Sequence, residues 1–98
     1  MELNRKTDGT VMTVALSGRL DTTTAPALAE LVRDGLDGIT RLVLELDGLD
    51  YISSVGLRVL LEAQKKMGAR DGMVLRGVGP EVSEIFEITG FNDILSIE

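Results

Sequence analysis

Two apolar runs on either side of a helical stripe limit this chain more than any other feature. Val11–Ser17 (VMTVALS) and Arg41–Leu46 (RLVLEL) read as strands, and between them Leu28, Leu31, Val32 and Leu36 recur at i, i+3, i+4 and i+8. Strand, amphipathic helix and strand in that order make a βαβ unit, whose strands lie parallel in one sheet. In the first run Met12, Val14 and Leu16 point one way, and Val11, Thr13 and Ala15 the other. Both sets are apolar enough to place this strand in the sheet interior.

The remaining segments extend the pattern. Leu3–Lys6 is a short edge strand, joined to the first long strand by the hairpin signal Asp8-Gly9. Gly18-Arg19-Leu20-Asp21 ends that strand, and Thr22, Thr23 and Thr24 offer three N-caps ahead of Pro26. Gly35 and Gly38 stop the helix, and Asp47-Gly48 breaks the next strand. A second helix carries Leu57, Leu60, Leu61 and Gln64 on one stripe, with Met67 beyond. Lys65 and Lys66 complement its C-terminal dipole, and Gly68 follows its end. Asp71-Gly72 turns the chain into a strand at Met73–Arg76. Gly79-Pro80-Glu81 opens a third helix with Val82, Ile85 and Phe86 inward, and Gly90 closes it. Ile94–Ile97 is a last short strand. The expected fold class is α/β: a small mixed, mostly parallel sheet of four to five strands with three to four helices. The element order is β-β-α-β-α-β-α-β, in a single domain over residues 1–98.

Absences narrow the function. The chain has no histidine and no cysteine, which removes Ser-His-Asp catalysis, thiol chemistry and the commonest metal ligands. We therefore expect no enzyme, no cofactor and no metal site. A formal charge of −6 and only three aromatics (Tyr51, Phe86, Phe91) oppose nucleic-acid binding. No apolar run reaches the ~18–20 residues of a membrane span, and MELNRKTDG lacks the apolar stretch of a secretory signal. A cytoplasmic monomer without membrane insertion is expected.

Leu49–Leu61 (LDYISSVGLRVLL) carries the chemistry. Ser53 and Ser54 follow a strand's C-terminal end and precede a helix, where sites of open α/β sheets collect. A phosphate there would gain from free backbone N–H groups and the helix dipole, by roughly 0.3–1 kcal/mol for the dipole. Gly56 permits close approach of another backbone. Serine is equally an ordinary N-cap, worth about 1 kcal/mol over alanine, so a purely structural reading stands beside the phosphoacceptor one. A nucleophile elbow fails, because Ile52 stands at the first glycine position and no histidine activates a serine. Asp21 is either a partner contact or a turn residue. Asp47 and Asp50 are solvated loop carboxylates, Tyr51 and Ile52 anchor the loop, and Arg58 is a solvated helix residue within reach of a partner.

YISSVGLRVLL resembles the signature of STAS domains, especially bacterial anti-sigma factor antagonists. SGRLD at Ser17–Asp21 resembles that family's step after its second strand, and LVLELDGLDYI its third strand and the entry to the switch. Gly90-Phe91 resembles the pair after its last long helix. The resemblance implies the STAS fold over the whole chain and a partner-switching function. An anti-sigma factor that is also a serine kinase binds the unphosphorylated antagonist and releases sigma factor. It phosphorylates a serine at the helix start, and a serine phosphatase resets the switch. Aligning Gly56-Leu57 places the acceptor at Ser54, with Ser53 the alternative. Ser53 stands where the best-known members often carry Asp. The partner-binding surface implied comprises Asp21, Ser53, Ser54, Val55, Gly56 and Arg58. A constitutive STAS scaffold in a transport or signalling complex, without phospho-switching, is the alternative function.

Overall fold

A computed structural model describes residues 1–68 and 72–98. Four strands, β1 (Glu2–Asp8), β2 (Val11–Leu20), β3 (Arg41–Ile52) and β4 (Gly72–Arg76), form one sheet in the order β1-β2-β3-β4. β1 pairs antiparallel with β2 across a two-residue turn at Gly9-Thr10, one residue beyond the expected Asp8-Gly9, because Asp8 still pairs with Val11. β2, β3 and β4 run parallel. Helices α1 (Ala25–Asp34) and α2 (Ser54–Met67) link the parallel strands, and α3 (Pro80–Thr89) follows β4. The α/β class and mixed sheet expected from periodicity are observed. Spatial order follows chain order, so no reversal opens a crevice at the strand ends. Anything presented there is presented on a surface.

The apolar faces meet in one core. Met12, Val14 and Leu16 of β2 and Leu42, Leu44 and Leu46 of β3 pack with Leu28 and Val32 of α1, Leu60 and Met67 of α2, and Phe86 of α3. β2 is interior to the sheet, as expected, between β1 and β3. On its other face Val11, Thr13 and Ala15 are half buried and stand outside this core.

β3 does not end at Asp47-Gly48. It bulges and continues to Ile52, so that between Ala15 and Leu20 of β2 it carries two extra residues. An aspartate–glycine pair suits a bulge as well as a turn. Strict alternation would bury Gly48 and Asp50. Instead both are exposed, and Leu49 takes the core position at 3% exposure. β2 likewise runs on through Gly18, whose positive φ of 87° suits glycine, to Leu20.

Three further expectations change. Among the threonines only Thr24 stands at the N-cap of α1, and its side chain caps nothing. The buried face of α2 comprises Gly56, Leu57, Val59, Leu60, Ala63 and Met67, while Leu61 and Gln64 are half buried. It is rotated because α2 packs against α1 as well as the sheet. The last strand shrinks to one parallel bridge between Leu75 and Ile97. The chain leaves α3 at Gly90 with φ 80° and curls through a 3-10 turn at Phe91–Asp93, leaving little length to run along β4. Asp71, half of the expected Asp71-Gly72 turn, lies outside the described residues.

Lys66 joins the two packed helices. Its Nζ donates to the carbonyls of Val32 at 2.8 Å and Arg33 at 2.9 Å, in the last turn of α1. Lys65 and Lys66 stand in the last turn of α2 as expected, and Lys66 in addition caps the last turn of α1.

Candidate functional site

β2 and β3 stop together. Leu20 and Ile52 are the last register pair, and the Ser53 N–H donates to the Leu20 carbonyl at 2.8 Å. This bond stitches the turn beginning at Asp21 to the loop that starts α2. The two segments singled out by sequence, Ser17–Asp21 and Leu49–Leu61, are brought to one end of the sheet.

The two serines differ in what they do. Ser53 is the N-cap, extended at φ −89° and ψ 174°. Its Oγ accepts the Gly56 N–H at 3.3 Å, and its carbonyl accepts the Leu57 N–H at 2.9 Å. Ser54 is the first residue of α2 and is exposed, with no hydrogen-bond partner for its hydroxyl among the described residues.

Gly56 explains why this helix can start so close to the strands. A Cβ there would lie 2.8 Å from Ile52 Cγ1, 2.9 Å from Leu20 Cγ and 3.0 Å from the Leu20 carbonyl oxygen. The backbone that glycine admits is therefore the chain's own. Gly56 is buried, and the outer surface here is carried by Ser54, Val55 and Arg58.

Asp21 organises the adjoining turn. Its Oδ1 accepts the Thr23 hydroxyl at 2.8 Å, the Thr23 N–H at 3.0 Å and the Thr24 N–H at 3.3 Å. Thr24 Oγ1 donates back to the Arg19 carbonyl at 2.7 Å and accepts the Asp21 N–H at 2.8 Å. The hydrogen bonds from Thr23, hydroxyl first, and then those from Thr24 hold the Asp21 carboxyl below the usual aspartate range. Turn chemistry occupies Oδ1. Oδ2 faces the Arg19 guanidinium at 3.9 Å on a side chain 29% exposed.

Two features escaped sequence reasoning. Arg19 lies over the Tyr51 ring at 4.3 Å from its centroid, a cation–π contact on the face opposite Ile52. The β3 bulges create it, since they bring Tyr51 rather than Leu49 opposite Arg19. Val55 and Val59 also line a shallow groove of about 430 Å³ with Ala25, Pro26 and Ala29, beside Ser54. Small residues on α1 were its only sequence signal. Asp47 and Asp50 are solvent-exposed, and no cluster of metal-ligating side chains occurs among the described residues. No helix among them is long and apolar enough to cross a membrane.

One open surface at the strand ends thus carries an exposed serine opening α2 and a constrained aspartate turn. The STAS domain profile matches residues 2–98, and the chain belongs to that family. BtrV of Bordetella bronchiseptica, which carries the name of an anti-sigma factor antagonist, is 42% identical over 94 residues, covering 94% of this chain and 80% of that protein. An anti-sigma factor antagonist from Mycobacterium paratuberculosis has a similar structure, with a TM-score of 0.86 at 27% identity over 98% of this chain and 83% of that one. Bacillus SpoIIAA in its phosphorylated form matches with a TM-score of 0.76 over 99% of this chain and 91% of that one. At 15% identity that likeness speaks to the fold alone.

Proposed function

We propose that this chain, working as one domain, is an anti-sigma factor antagonist gated by phosphorylation of Ser54. The observation that carries the reading is the division of labour between the serines. Ser53 spends its hydroxyl oxygen on the cap, while Ser54 offers a free, exposed hydroxyl at the start of α2. The relative named as an antagonist supports the function, at 42% identity.

The unphosphorylated surface, comprising Asp21, Ser53, Ser54, Val55 and Arg58 around buried Gly56, binds an anti-sigma factor that is also a serine kinase, and sigma factor is released. Phosphorylation adds about −1.5 to −2 charges and three acceptor oxygens where the interface held a hydroxyl. A clash and desolvation penalty of ~3–4 kcal/mol weakens binding a few hundred-fold without refolding. A serine phosphatase restores the hydroxyl. The chain itself supplies no catalytic group and acts in the cytoplasm as a monomer.

The test pairs the chain with its partner kinase and ATP. One phosphate on wild type and none on Ser54→Ala is expected; equal labelling of both would remove Ser54 as the acceptor. Undiminished partner affinity after stoichiometric phosphorylation would remove the gating.

A further inference from the structure

We infer that Arg58 is the internal counter-ion of the phosphorylated switch: a phosphoryl group on Ser54 pairs with the Arg58 guanidinium across one turn of α2. The inference rests on Ser54 as the modified residue.

Between Ser54 and Leu60 only Ser54 and Arg58 are exposed; Val55 is half buried, and Gly56, Leu57, Val59 and Leu60 are buried. Residues four apart on a helix are surface neighbours, with Cβ atoms roughly 5–6 Å apart. Long helical side chains lean toward the N-terminus, so Arg58 covers the turn that begins at Ser54. Its guanidinium is also uncommitted. Arg19, Arg33, Arg41 and Arg76 each have a carboxylate within 3.9 Å, while no acidic partner among the described residues meets Arg58. Glu62 lies four residues on, in the weaker order for a helical pair. A guanidinium matches phosphate oxygens with two parallel N–H donors, which makes arginine better suited than lysine here. Ser53 cannot substitute. It is one residue off this ridge, and its Oγ is turned toward the Gly56 N–H.

The pairing changes what a partner meets. Before modification the surface offers a neutral hydroxyl beside a free cation. Afterwards the anion is added and the cation is withdrawn from outside contact. Both changes act against the same partner.

The test installs phosphoserine at position 54 by genetic encoding, independently of any kinase, and follows its second ionisation by ³¹P NMR. A nearby cation favours the dianion and lowers the pKa. We expect the wild-type value to lie about half a unit below that of Arg58→Gln, with Arg58→Lys between them and the difference shrinking in high salt. Identical titration in wild type and Arg58→Gln would overturn the pairing. So would an equal Arg58-dependent shift for phosphoserine at position 53, which would reveal a general field. Because the phosphate is placed synthetically, failure of a kinase to modify Ser54 leaves this measurement intact.

Discussion

Gly56 and Leu20 meet backbone to backbone, so closely that a methyl group at position 56 would stand 3.0 Å from the Leu20 carbonyl oxygen. That oxygen already accepts the Ser53 N–H. The contact fixes where α2 begins relative to β2. Alanine would gain up to about 1 kcal/mol of helix propensity. Overpacking costs about 1–3 kcal/mol, and the nearest atoms include backbone that cannot swing aside. Gly56→Ala is therefore expected to be net destabilising, with a lower urea midpoint and an unchanged m-value.

The serines should separate by stability before any partner is added. Ser53→Ala removes the cap and should cost about 1 kcal/mol. Ser54→Ala removes an exposed hydroxyl with no partner among the described residues and should stay within about 0.5 kcal/mol of wild type. Denaturant unfolding of the two variants checks this; equal losses would contradict the assignment of the cap to Ser53.

Asp21 makes stability depend on acid. Its folded pKa is lowered by hydrogen bonds from Thr23 and Thr24, so the folded state favours the ionised form. That contribution is fully present above the unfolded-state pKa of about 3.9 and is lost as pH falls through the lowered folded value. Asp21→Asn should be less stable than wild type at pH 7, with the gap narrowing below about pH 4. A gap constant across that range would exclude the carboxylate as its cause.

Lys66 should hold the end of α1 in place. Lys66→Met keeps much of the stem and deletes the donor to Val32 and Arg33. A loss of about 1 kcal/mol is expected. Amide exchange should speed up most in the last turn of α1, a local effect that general loosening would not produce.

Periodicity in the sequence was enough to order β2, α1, β3 and α2, because each buries one well-defined apolar set. It failed at Asp47-Gly48, where the same residue types serve a turn and a bulge, and only pairing with β2 decides between them. The Arg19–Tyr51 stack was hidden for the same reason. The site segment was legible as a serine-bearing helix start, but the roles of Ser53 and Ser54 were not. They depend on which residue turns extended at ψ 174°, a one-residue choice that Gly56 settles by fitting against Leu20 and Ile52.

The two bulges of β3 have a consequence for how the chain can vary in length. An insertion without a bulge reverses inside and outside for everything beyond it, because strand side chains alternate. Each bulge instead sets two neighbouring residues on the outer face, Asp47 with Gly48 and Asp50 with Tyr51, so the inward positions fall at Leu46, Leu49 and Ile52. Deleting Asp50 alone would leave Tyr51 outward and Ile52 inward on a regular ladder, whereas adding a residue there without a further bulge would turn Ile52 outward and swing the serines away from Leu20. Between Leu46 and Ile52 the strand can lose a bulge residue more readily than it can gain an unbulged one.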